Sequence, residues 1–354
     1  MAFLFKRNPK TPSELVRALN DNIVKFDAAS DRKKVQDEAA RLLTQMRLVL
    51  HGDEDMEPQP DLIAQLAHDI YQTDLLYYLI LNLHYLEFDS RKDVSTLFST
   101  LLRRQIGNRS PTVDYLLGKP KIITALIKGP EVPESCLITG AILRDCIKFE
   151  ALTKMVLQDP AVWKLFDFSS KGTFENMTDS FQTLSDLLSV HKKLAAEWLV
   201  NNNDHFTLQI NKLISSNNYV TKRQSIKLLS NLILTRQNSQ FMNQYVNSAQ
   251  NLKLVMILLS DKSKNIQLES FNVFKVFVAN PKKSKTVLDI LIKNRDKLII
   301  FFDNFNFAER KDDPQFKEEK EFVVQQITDL PKIVTTPSGT SGTNSGTTTP
   351  GGKI

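Results

Sequence analysis

Three serines, Ser180, Ser225 and Ser270, stand at intervals of 45 in a chain of 354 residues, and each is followed by the same apolar ladder. The ladder reads Phe181, Leu184, Leu187, Leu188, then Ile226, Leu229, Leu232, Ile233, then Phe271, Phe274, Phe277, Val278. Steps of one, three, three and one place these side chains on one face of a helix. A helical unit recurring at such a period cannot bury its apolar face alone and must stack on its neighbours. The pattern predicts an all-α, armadillo- or HEAT-like helical-repeat solenoid.

Composition narrows this further. Of the eleven glycines, Gly339, Gly342, Gly346, Gly351 and Gly352 fall near the end of the chain, so few remain for phosphate-cradling loops or a turn-rich sheet fold. The formal net charge is +6, with 46 basic residues interleaved with 40 acidic ones, a poor balance for nucleic-acid binding. Cys136 and Cys146 have no His/Cys cluster nearby to complete a metal site and read as reduced core residues. The opening MAFLFKRNPK places apolar residues ahead of basic ones with no long apolar run after them, so no secretory signal is expected. No segment reaches membrane-span length, and a cytoplasmic location follows as the expectation.

Thr11-Pro12-Ser13-Glu14 has the spacing of a capping box opening a first helix. Further helices are expected over Arg32–Leu50, Leu62–Gln72, Leu75–Leu86, Arg91–Ile106, Ser135–Phe149, Pro281–Lys293, Asp296–Asn304 and Pro314–Ile327. Gly107 is expected to close one helix and Ser110-Pro111 to open the next; the nearby Arg103, Arg104 and Arg109 read as carbonyl caps or as an anion or partner site. The acidic stretch around Asp53, Glu54 and Asp55 lacks calcium-loop spacing and reads as a solvated turn. One repeat domain is expected over residues 1–334, with a disordered Thr/Ser/Gly/Pro-rich tail over 335–354.

On a helical wheel of the stretch beginning at Tyr219, Ile226, Leu228, Leu229, Leu232 and Ile233 form one arc. Tyr219, Arg223, Lys227 and Ser230 form another. Phe174 stands one period before Tyr219, so an aromatic recurs at one register position. An exposed aromatic beside Arg and Lys has the composition of an interface hot spot; rings stapling one helix to the next are the competing reading. His51, His68, His84, His191 and His205 are scattered, with no paired spacing, nucleophile elbow, Walker loop or zincin motif. The chain therefore reads as neither an enzyme nor a metalloprotein, with no cofactor, and His84 as a satisfied core residue. An adaptor binding acidic peptides or nucleic acid through basic residues is the alternative function.

The segments MAFLF with KTPSELV, LLRRQIGNRSPTVDY, NNYVTKRQSIKLL, NLKLVMILLSDKSKNIQLESFNVFKVFVANP and EKEFVVQQITDL, in that order, resemble the calcium-binding protein 39 family, including the fungal HymA-type conidiophore-development proteins. The resemblance spans Met1 to Leu330. It implies a curved, non-catalytic armadillo-like scaffold whose concave face grips and allosterically activates sterile-twenty or germinal-centre type kinases, or pseudokinases, in polarity, morphogenesis and cell separation. It also implies a second, C-terminal pocket for a short Trp-Glu-Phe type peptide tail; the charge balance and the lack of a span-length segment separately lead to the expectation of no nucleic acid and no membrane insertion. Carried over by position, it places concave-face contacts on Phe174, Tyr219, Arg223, Lys227 and Arg236, and the peptide pocket on Lys253 and Met256. Ser239 stands where the family usually has an aromatic.

Overall fold

A computed structural model describes residues 11–26, 30–54, 57–306 and 313–331. The expected tail over 335–354 and the MAFLF stretch lie outside them. Ten helices come first: α1 (Pro12–Ile23), α2 (Arg32–His51), α3 (Pro60–Tyr71), α4 (Leu75–Leu81), α5 (Phe88–Arg103), α6 (Pro111–Leu117), α7 (Pro120–Lys128), α8 (Cys136–Ile147), α9 (Glu150–Gln158) and α10 (Lys164–Phe168). Sets of three follow: α11 (Phe174–Ser189), α12 (Lys192–Asn201) and α13 (Asn203–Ile214), then α14 (Tyr219–Leu234), α15 (Ser239–Val246) and α16 (Ala249–Leu259). The last set is α17 (Lys264–Ala279), α18 (Lys285–Lys293) and α19 (Arg295–Asp303), before the closing α20 (Pro314–Thr328). The fold is an all-α helical-repeat solenoid, and α11, α14 and α17 begin at intervals of 45 residues. None of these helices is long and apolar enough to cross a membrane.

The repeat starts where the chemistry of helix ends requires it. Thr173, Asn218 and Ser263 precede the three repeating helices, and each side-chain oxygen accepts from a backbone N–H of the first turn: Asn176 at 3.3 Å, Val220 at 2.9 Å and Ile266 at 3.4 Å respectively. A short polar side chain at this position satisfies donors that the helix itself cannot. The marker serines lie on the buried face. Ser225 donates to the Thr221 carbonyl at 2.7 Å and Ser270 to that of Ile266 at 2.6 Å, while Ser180 meets the Cys136 thiol. All twelve ladder residues are buried.

The chain divides into two compact units, Met1–Phe274 and Lys275–Ile354. Within the first, a run of rings threads the core: Trp163 lies 5.0 Å from Trp198, Phe206 is 5.4 Å from Phe241, and Phe241 is 6.0 Å from Tyr245. The polar ends of this run are satisfied. The Trp198 indole donates to the Leu157 carbonyl at 2.8 Å, and the Tyr245 hydroxyl donates to the Asn211 amide oxygen at 2.9 Å. Asn211 in turn donates to Asn251 at 2.8 Å, tying α13 to α16. Between α8 and α11, Arg144 holds Asp179 at 2.7 Å and the Thr183 hydroxyl at 2.7 Å. A side chain at Gly140 would strike the Asp179 carboxylate, so this clamp needs a glycine there. In the second unit, Phe302 packs 5.4 Å from Phe305, and Lys275 pairs with Glu319 at 2.8 Å.

Several expectations are met. The Thr11–Glu14 capping box forms in both directions, and both cysteines are free and buried. Others are corrected. The helix expected over Leu75–Leu86 ends at Leu81, where the Asn82 amide turns back to the Tyr78 carbonyl at 2.9 Å, and a 3-10 turn over Leu83–Tyr85 follows. His84 therefore sits in that turn, half-buried, with its Nδ1 lacking a hydrogen-bond partner among the described residues, so it is not a satisfied core histidine. The helix expected to reach Ile106 stops at Arg103, and Gly107 closes no helix. With φ at 58°, it instead sits in a two-residue hairpin joining Ile106 to Arg109.

Candidate partner-binding surface

Helix α14 presents two different faces because its apolar residues recur with helical spacing and its polar ones occupy the remaining arc. Ile226, Leu228, Leu229, Leu232 and Ile233 are buried. Tyr219 is 46 % exposed, and Arg223 and Lys227 are exposed along the same side. Ser230, expected on this outer arc, is buried. Neither Arg223 nor Lys227 makes a hydrogen bond or ion pair among the described residues. Their neighbour Lys222 differs: it is half-buried and pairs with Asp261 at 3.2 Å. The sequence KR thus splits into one structural cation and one free one.

The two aromatics are also unequal. Phe174 is the first residue of α11 and is 59 % exposed. Tyr219 is the first residue of α14, and its hydroxyl accepts from the Asn265 amide at 3.5 Å. Hydrogen bonds from Asn265 and Ser263 hold its phenol below the ordinary tyrosine range, and the Arg223 charge acts in the same direction.

Between α11 and α14 lies a cleft of about 250 Å³ that gathers part of this stripe. Phe174 and Lys227 line it, with Phe181 and Leu228 supplying apolar wall. Tyr219 and Arg223 lie outside it. Its polar lining includes Thr178, Gln182, Ser185, Gln224 and Asn231, and no carboxylate. The Thr178 hydroxyl is buried with no hydrogen-bond partner among the described residues. The Gln182 amide already donates to Asp186 at 2.7 Å. A cleft with a free ammonium and an unsatisfied hydroxyl can take a polar or acidic side chain, while the exposed ring offers apolar contact. Thr178, Gln182 and Asn231 were not singled out in the sequence, yet the i, i+4 rule that linked Tyr219, Arg223 and Lys227 reaches Asn231 by one more step. From Phe174 it reaches Thr178 and Gln182.

The remaining candidates lie elsewhere. Arg236 is exposed in the 3-10 turn over Arg236–Asn238 that follows α14, and Ser239 is exposed at the start of α15. Lys253 and Met256 are on α16, the lysine exposed and the methionine half-buried, beside the strongly exposed Ile257. The described residues contain no group of three or more His, Cys, Asp or Glu side chains placed to hold a metal.

The family described as Mo25-like matches residues 3–331. The chain belongs to the Mo25-like family. It is 44 % identical over 332 residues to the calcium-binding protein 39-like protein of Homo sapiens, covering 93 % of this chain and 98 % of that one. It is 43 % identical over 327 residues to the Mo25-like protein of Schizosaccharomyces pombe, covering 92 % and 99 %. It is 40 % identical over 368 residues to the conidiophore development protein hymA of Emericella nidulans, covering 96 % of each. The family resemblance read from the sequence segments therefore holds across most of the chain.

Proposed function

We infer that this Mo25-like chain is a non-catalytic scaffold that binds and allosterically activates sterile-twenty or germinal-centre type kinases, or their pseudokinase relatives, in the cytoplasm. The observation that carries the reading is the outer stripe of α11 and α14. Two exposed rings, Phe174 and Tyr219, stand with two exposed cations, Arg223 and Lys227, that make no hydrogen bond or ion pair among the described residues. Interfaces concentrate their energy in such aromatic and arginine anchors, and a cation left without an internal partner gives up no intramolecular contact on docking. Arg236 extends this surface. A partner helix seated here would be held in one of its two arrangements, which is how a protein without chemistry of its own raises a kinase's activity.

Lys253 and Met256, with Ile257 beside them, form the second contact in this reading, taking a short Trp-Glu-Phe type tail. An aliphatic surface with one ammonium suits a peptide carrying two aromatics and one acid. Titration of a purified germinal-centre kinase against the full chain and against the Arg223→Ala and Met256→Ala variants tests both contacts. Weaker binding by each variant with unchanged thermal unfolding supports the reading. Unchanged affinity in both contradicts it.

A further inference from the structure

Among the described residues, the single β pairing in this helical chain is the bridge between Ile106 and Arg109. The two residues exchange both backbone hydrogen bonds, Ile106 N–H to the Arg109 carbonyl at 2.9 Å and Arg109 N–H to the Ile106 carbonyl at 3.1 Å. Gly107, at φ 58°, takes the left-handed conformation such a tight turn demands. The result is a small, fixed projection between α5 and α6 rather than a loose connection. What it displays is unusual for a solvated turn. Every residue from Gln105 to Arg109 is exposed, and Ile106 is 56 % exposed despite being fully aliphatic.

Three arginines, Arg103, Arg104 and Arg109, lie within three residues of that isoleucine in the chain. Arg109 pairs with Asp114 at 2.9 Å, and both are well exposed. Arg103 spends only its Nε, on the Ser99 carbonyl of its own helix at 3.2 Å. Arg104 has no side-chain hydrogen bond or ion pair among the described residues. Two arginines are thus left without an acid. An arginine fork offers paired donors to a carboxylate, and the exposed isoleucine two residues after Arg104 offers a contact that a purely electrostatic site would lack.

We propose that the hairpin centred on Gly107 is a second protein-docking surface, separate from the α11/α14 stripe, and that its partner is an acidic peptide segment carrying an apolar side chain between carboxylates. Charge complementarity selects this occupant. The overall balance of bases and acids disfavours nucleic acid. A single aliphatic residue at the tip supplies little area for inserting into a lipid surface.

The test is selection of a random peptide library on the full chain, with counter-selection on an Arg103→Ala/Arg104→Ala variant. Recovered peptides are then titrated against the wild-type chain, that variant, Ile106→Ala and Arg103→Lys/Arg104→Lys. The expected result is enrichment in Asp and Glu flanking an apolar residue, with affinity falling about tenfold in the double alanine variant and partially in the lysine variant. All four proteins should unfold at the same temperature, because the substituted side chains are exposed or unpaired. Recovered peptides without acidic enrichment, or equal binding by the double alanine variant, would overturn the proposal. So would arginine-dependent binding of phosphatidylserine vesicles or single-stranded RNA that exceeds peptide binding.

Discussion

In α11 and α14 the same register positions carry a capping oxygen (Thr173, Asn218), a buried serine (Ser180, Ser225) and the apolar ladder. The positions facing outward have not been kept equal. The first helical residue is an exposed Phe174 in one helix and a tethered Tyr219 in the other, and at the corresponding place in α17 it is Lys264. The steps that follow are a half-buried Thr178 and an exposed Gln182 in α11, against the exposed Arg223 and Lys227 in α14. What repeats is what the stack must bury, and what varies is what no fold requirement fixes. Function in a repeat protein is therefore sought where the copies depart from one another.

The sharpest way to break this division is to exchange the two faces in stability measurements. Leu229→Ala removes a fully buried side chain from the α14 ladder, and urea denaturation should report a loss of roughly 2–5 kcal/mol. Arg223→Ala, on the same helix, should fall within about 0.5 kcal/mol of wild type. Comparable losses would erase the distinction.

The caps are the next largest effect. Asn218→Ala should cost about 1 kcal/mol, and Thr173→Ala a similar amount, because each removes an acceptor for first-turn amides. A large asymmetry between the two would show that the repeat is not equally built.

The buried side also predicts a pH response. Burial pushes the Cys136 thiol up from about 9 to about 11 and that of Cys146 to about 12. A thiol whose folded pKa is raised contributes stability that is present below its unfolded value and lost as pH rises through the folded one. Stability should thus decline from about pH 9 upward, and a Cys136→Ala/Cys146→Ala variant should decline less. Native protein should leave both thiols unreactive toward a disulfide reagent until it unfolds.

The smallest expected effect concerns Tyr219. Ultraviolet titration should place its phenol below ordinary tyrosine, and Asn265→Ala should move it upward. No movement would mean that Tyr219 is as free as Phe174.

The buried half of the molecule was legible because helix burial imposes a period on sequence. The ladder and the capping box at Thr11 follow from local rules, whereas the family segments rest on resemblance alone. The corrections came where one side chain redirects the backbone. Asn82 ends a helix by bonding back to Tyr78, and nothing in the apolar run LLYYLILNL marks that asparagine as a terminator. Gly107 reads in sequence as a helix end because glycine serves helix ends and hairpins alike, and only the pairing of Ile106 with Arg109 decides between them. Helical angle alone puts Ser230 on the outer arc, whereas neighbouring elements bury it. The stripe from Tyr219 to Lys227 was visible in the spacing, but the cleft was not, since it depends on how α11 lies against α14. The unsatisfied Thr178 hydroxyl likewise exists only in three dimensions.

The most direct test of the central claim is a paired measurement on Arg223→Ala: affinity for a germinal-centre type kinase by titration, and unfolding temperature on the same preparation. The account predicts that affinity falls by 1 to 4 kcal/mol, roughly fivefold to a thousandfold, while the unfolding temperature stays within about 2 °C of wild type. Unchanged affinity, or a loss of binding that tracks a loss of stability, would contradict it.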